Sequence, residues 1–269
     1  MAGADDDEAP ESELDPPPRD ATAPEVSPLR ISLYGREGER RLSRSFNAVR
    51  LSKSQRPDLV AARGKPLIIY LNHPSWWDPL ICMQIAGQFF PDRRHYGPVD
   101  AGLLRSHRFF ARMGFFGVDP VDPRSARRLL AIAQEILSRP DAALWIPAEG
   151  RLTDPRERPV RLRSGIGHLA SRSRQAVLLP LALEVPFWEA PLPEALARFG
   201  EEIPAGDVGL RASDWTTVLE DRLESALEAL AAESLAHDPS RFDVLLAGGG
   251  EAGGISDAWR RVKTLFRGG

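Results

Sequence analysis

The sequence predicts an α/β fold, a central mixed sheet flanked by helices, with amphipathic helical segments near both ends. Short apolar runs of strand length alternate with segments of helical period, which implies helices packed on a sheet. Hydrophobic residues make up 42% of the 269, enough to build a real core. No run reaches the ~18 apolar residues of a membrane-spanning helix. The longest apolar stretches, Pro66–Tyr70 and Val177–Trp188, have the length of buried strands.

Lys65–Asn72 reads as a buried strand, Leu67-Ile68-Ile69-Tyr70, ending in a polar turn. A helix is expected over Asp78–Phe90, because an acid followed by proline is a good start signal. Arg124–Leu137 is a second helix, with Leu129, Ile132, Ala133 and Ile136 on one face. Ala142–Ile146 is a strand ending in a Pro/Gly turn, Gly165–Arg172 a short helix, and Val177–Val185 a strand. Trp215–Leu235 is a longer helix rich in Ala, Leu and Glu. Internal repeats are not evident.

Composition divides the chain. Residues 1–28 hold nine acids against Arg19 alone, a net −8, so the rest carries +5 of the formal −3. This Asp/Glu/Pro/Ala-rich stretch buries too little apolar surface to order itself and is expected to be a disordered acidic tail. Residues 29–246 form the catalytic domain, 247–256 a Gly-rich linker, and 257–269 a basic amphipathic segment with Trp259, Val262 and Phe266 on one face. Residues 40–56 contain six Lys or Arg and no acid, with Leu42, Phe46, Val49 and Leu51 near helical spacing. They read as a surface helix, packing Phe46 on the core, lying on an anionic membrane, or both. The lone Cys82 excludes an internal disulfide framework and a Cys-rich zinc site, and no His/Cys/carboxylate group has metal-ligand spacing. The first residues are acidic, unlike a signal peptide. A cytoplasmic protein attached peripherally to a membrane is the expectation.

The chemistry concentrates in two strand-end loops. The first is Asn72-His73-Pro74-Ser75-Trp76-Trp77-Asp78-Pro79, between a strand and a helix, where active sites commonly lie. Histidine is the natural general base near neutral pH. A carboxylate five residues on, with a proline turn between, can fold back to fix the ring's tautomer and stabilise the imidazolium. Here the substrate's own hydroxyl would be the nucleophile. The second loop is Trp145-Ile146-Pro147-Ala148-Glu149-Gly150-Arg151-Leu152-Thr153. Its glycine permits close backbone approach, and its arginine can hold a phosphate or carboxylate bidentately. His95 and His107 read as surface residues, and His168 as a candidate to approach the Glu149 loop. Trp76 and Trp77 could line an acyl pocket or simply pack.

The string Asn-His-Pro-Ser-x-x-Asp-Pro resembles the His-x4-Asp block of the glycerolipid and lysophospholipid acyltransferase family, and the Glu149-Gly150-Arg151 loop its Phe-Pro-Glu-Gly-Thr-Arg block. Two departures stand in the second block: Ala148 is inserted after Pro147, and Arg151 follows Gly150 directly. Gly114-Phe115-Phe116-Gly117-Val118-Asp119-Pro120 aligns with a Gly-rich family block, but Pro120 holds the position of its phosphate-binding arginine. Arg124 and Arg127, on the following helix, are the substitutes available. Val177–Leu183 matches the fourth block. The resemblance spans roughly residues 65–190 and implies a glycerol-phosphate acyltransferase-like fold, His73 and Asp78 as catalytic residues, and Glu149, Gly150, Arg151, Asn72 and Ser75 at the substrate. It implies no metal or resident cofactor, with acyl-CoA or acyl-ACP as co-substrate and membrane lipids as partners.

Three functions remain open on the sequence. The acceptor hydroxyl belongs to a lysophospholipid-like lipid, or the same chemistry serves a glycolipid alcohol or water. Alternatively the chain is a non-catalytic membrane-binding scaffold, against which the intact His73/Asp78 pair argues. Nucleic acid is not expected as a partner, since outside residues 40–56 most arginines are accompanied by acids and no recognition motif is present. Oligomeric state is left open.

Overall fold

A computed structural model of the chain describes residues 22–57, 62–106, 112–119, 122–207 and 210–249. The elements, in order, are α1 (Pro28–Ser45), β1 (Ala48–Ser52), β2 (Leu67–Leu71), α2 (Asp78–Phe89), β3 (Arg94–Asp100), α3 (Ala101–Ser106), β4 (Phe115–Val118), α4 (Pro123–Leu137), β5 (Ala142–Pro147), α5 (Gly165–Arg172), β6 (Val177–Glu184), β7 (Glu194–Phe199), β8 (Ile203–Pro204), α6 (Ala212–Leu235) and β9 (Phe242–Ala247). They form a mixed sheet ordered β4-β3-β5-β2-β6-β7-β1-β9, with β8 on β6. The first five strands in that order run parallel, and the antiparallel β7 brings the remaining strands against β6.

Because β2, β5 and β6 are covered on both faces, they are apolar along nearly their whole length rather than alternating. In β2, Ile68 and Tyr70 point into one core with α4, α5 and α6, while Leu67, Ile69 and Leu71 point into the other with α1 and α2. The helices follow the same logic. Ile132, Ala133 and Ile136 of α4 and Trp215, Leu219 and Leu223 of α6 fill the first core; Ile81, Cys82 and Ile85 of α2 fill the second. Burial pushes the Cys82 thiol well above its ordinary pKa, so it stays a packed, unreactive hydrophobe.

Strand β2 leads through α2, on one face, toward β3. Its neighbour β5 leads through α5, on the other face, to β6. The two connections diverge, and the carboxyl ends of β2 and β5 therefore flank the kind of crevice where open α/β sheets bind ligands.

Several expectations change. Residues 40–56 are not one helix: α1 ends at Ser45 and β1 follows. Leu42, Phe46, Val49 and Leu51 are all buried, and so is Arg50, whose Nε lies 2.9 Å from Glu194 Oε2. Their spacing reflects burial of a helix end and then of one face of a strand in the same core, so these four side chains form no amphipathic membrane face. The acidic tail lies outside the described residues up to residue 21. Order begins before residue 28, however: the Ala23 N–H donates to Glu135 at 2.7 Å and Val26 bridges Met113. The Gly-rich linker begins later than residue 247, because Ala247 ends β9 and the Gly248 and Gly249 N–H groups bond Asn47 and Ser43. Its remainder and segment 257–269 lie outside the described residues.

Helices α5 and α6 touch at Gly167. A Cβ there would stand 2.1 Å from the Ala212 carbonyl oxygen, which is backbone and cannot give way cheaply. Gly167→Ala is expected to lower stability by about 3 kcal/mol, read by urea unfolding. A change within 0.5 kcal/mol would contradict this packing.

Candidate active site

The loop leaving β2 turns at Trp76-Trp77, where the Asp78 N–H donates to the Ser75 carbonyl, and enters α2 at Asp78-Pro79. Asp78 lies at the amino end of α2, whose dipole favours a carboxylate. Asp78 Oδ2 sits 2.6 Å from His73 Nδ1 and also accepts the Ser75 N–H at 3.2 Å. The His73 side chain is 24% exposed and that of Asp78 3%, so the ring faces outward from a buried partner. Burial raises the Asp78 carboxyl above its ordinary pKa, and the hydrogen bond from His73 opposes the shift. An ionised Asp78 selects the Nδ1–H tautomer and leaves Nε2 as the basic nitrogen. An imidazole held this way can accept a proton from a hydroxyl.

The β5 loop clamps the His73 backbone from both sides. Glu149 Oε2 accepts the His73 N–H at 3.3 Å, and the Thr153 N–H donates to the His73 carbonyl at 2.9 Å. Burial raises the Glu149 carboxyl pKa, opposed by its bonds from His73 and Thr153. Gly150 lies in the left-handed region at φ 68°, and a Cβ there would stand 3.0 Å from the Arg163 side chain. Its role is therefore to let the chain turn after Glu149. Sequence reading missed Thr153, whose contribution is a backbone N–H that no residue type announces.

The other expected site residues make bonds of their own. Asn72 is 1% exposed, and its amide bonds both the carbonyl and the N–H of Leu183, fastening the end of β2 to β6. Ser75 Oγ accepts the Trp77 N–H at 3.2 Å, shaping the turn. Arg151 is exposed and ion-paired with Glu157. Arg124 and Arg127 are exposed on the first turns of α4, which follows β4 and packs on β5 and α5. Pro120 lies outside the described residues.

His95 is not a surface residue. Its ring lies between the Phe90 carbonyl and the Trp145 indole N–H, and burial lowers its pKa to about 4. His168 is exposed on α5, and His107 lies outside the described residues. Trp77 packs edge-on against Phe46 with centroids 5.5 Å apart, whereas Trp76 is exposed.

An imidazole hydrogen-bonded to a buried carboxylate thus stands at the carboxyl edge of a mixed α/β sheet, an arrangement able to accept a proton. The acyltransferase family model matches residues 48–184, about half of the chain and both strand-end loops, and the chain belongs to that family. It is an enzyme that transfers acyl groups. Among curated proteins no sequence match is found. The chain is similar to the crystal structure of the 1-acyl-sn-glycerophosphate (LPA) acyltransferase PlsC from Thermotoga maritima. That likeness covers 76% of this chain and 79% of the other, at 13% identity and a TM-score of 0.49.

Proposed function

We propose that the protein moves a fatty acyl group from acyl-CoA or acyl-ACP to a hydroxyl of a lysophospholipid-like acceptor, with His73 as general base and Asp78 as its orienting partner. The observation that carries this reading is the 2.6 Å hydrogen bond between His73 Nδ1 and a buried Asp78 at a half-open strand end. His73 removes the hydroxyl proton, the oxygen attacks the thioester carbonyl, and the protonated ring then gives its proton to the departing thiolate. No metal or resident cofactor enters this scheme. The enzyme works peripherally attached to the membrane that holds its lipid substrates. Among the described residues no helix is long and apolar enough to cross a membrane.

Glu149 acts on this chemistry as a positioning residue through the His73 backbone. Glu149→Ala is expected to lower kcat about 10²-fold by loosening the base, while Glu149→Gln, which keeps an acceptor oxygen, retains most of it. Steady-state kinetics on the two variants separate these outcomes; equal losses would contradict the positioning role.

One observation favours a second acceptor class. Arg151, the loop arginine expected to contact an acceptor phosphate, is ion-paired with Glu157 instead. A glycolipid alcohol, or water in a thioesterase, needs no such contact. The deciding experiment supplies labelled acyl-CoA or acyl-ACP with lysophosphatidate, a lyso-glycolipid, or no acceptor, and identifies products by mass spectrometry. Acylated lysophosphatidate supports the first reading, and acylated glycolipid or free acid alone replaces it. Intact donor in every arm removes the enzyme assignment.

A further inference from the structure

Six large apolar side chains are exposed among the described residues, and four of them stand at the carboxyl edge of the parallel strands. Trp76 (67% exposed), Leu152 (57%) and Phe187 (67%) occupy the loops after β2, β5 and β6, which are immediate neighbours in the sheet. Leu103 follows on the first turns of α3, after β3. Single exposed hydrophobics are ordinary, but several gathered around one cleft mark an interaction surface.

The three loops are contiguous. Thr153, next to Leu152, bonds the His73 carbonyl in the Trp76 loop, and the Arg156 guanidinium feels the Glu184 carboxylate just ahead of Phe187. Of the five arginines in residues 149–163, Arg151, Arg156 and Arg161 pair with Glu157, Asp154 and Glu220, and Arg158 and Arg163 stand outside any ion pair among the described residues. Apolar tips flanked by exposed guanidinium groups match a lipid interface, with indole at headgroup depth, aliphatic tips below it and arginines on phosphates.

We propose that this edge docks on an anionic phospholipid bilayer, with Trp76, Leu152 and Phe187 as its insertion points, so that His73 faces the membrane. The inference rests on the lipid-acceptor reading above and adds the surface that meets the lipid. Docked so, the enzyme takes its acceptor from the bilayer without releasing it into water. The docking surface lies at the site itself.

The test is flotation of the full chain with vesicles of phosphatidylcholine alone or mixed with phosphatidylglycerol. Wild type is expected to float with the mixed vesicles, and Leu152→Ser/Phe187→Ser to lose about 100-fold in partitioning, with its circular dichroism and melting temperature unchanged. Bromolipids are expected to quench the part of the fluorescence that Trp76→Phe removes. Undiminished binding by the double variant, or no binding by wild type, overturns the proposal. Acyl transfer measured in detergent keeps the two readings apart. Wild type inactive there fails as an enzyme, whereas a double variant active in detergent and still bound to vesicles fails only the docking surface.

Discussion

Replacing His73 with alanine is expected to lower kcat for acyl transfer by about 10³-fold, with KM for the donor little changed. The His73 side chain is 24% exposed, and its Nδ1 hydrogen-bonds Asp78. In the proposed reaction its removal takes away the base that deprotonates the acceptor and the acid that protonates the thiolate. The substitution also strips a buried carboxylate of its ring partner, which raises the Asp78 pKa further and lowers stability. Turnover is therefore compared per folded molecule, with the folded fraction from circular dichroism. Turnover by folded His73→Ala within tenfold of wild type would contradict the assignment.

Asp78→Asn is expected to lower kcat by a comparable factor, about 10³-fold, by a different route. The amide can donate to Nδ1, which favours the Nε2–H tautomer and turns the outward nitrogen from acceptor into donor. Stability moves the other way. Burial raises the Asp78 carboxyl, and Asp78 Oδ1 lacks a hydrogen-bond partner among the described residues. A folded pKa above the unfolded one favours the fold below the unfolded pKa, and that contribution is lost as pH rises through the folded value. At pH 7 the ionised carboxylate therefore opposes folding, and the neutral amide is expected to melt no lower than wild type. Activity lost at a retained or raised melting temperature separates a chemical role from a structural one, and a lowered melting temperature would contradict the burial argument.

The pair at residues 73 and 78 was legible because its signal is local. A strand's end, a proline turn and a helix start lie within a dozen residues, and one peptide loop suffices to bring the two side chains together. The apolar β2, β5 and β6 were equally plain, since strands buried on both faces need continuous hydrophobicity. What failed depends on distant partners. In β7 the residues Glu194-Ala195-Leu196-Ala197 are helix formers by propensity, drawn into a strand by pairing with β1 and β6. In β3, Gly97 and Pro98 obscure the strand pattern. The basic run at 40–56 hid the burial of Arg50, because Glu194 is 144 residues away. The roles of Asn72 and Thr153 likewise follow from Leu183 and from the His73 carbonyl, contacts that a linear reading does not bring together.

If His73 and Asp78 act as one unit, a double-mutant cycle on acyl transfer shows it. Single-turnover rates for His73→Ala, Asp78→Asn and the double variant are compared per folded molecule. The double variant is expected to be no slower than His73→Ala alone, because an orienting carboxylate has nothing left to orient. Rate losses that multiply, with the double variant slower than either single one by the other's full factor, would show two independent groups and contradict it.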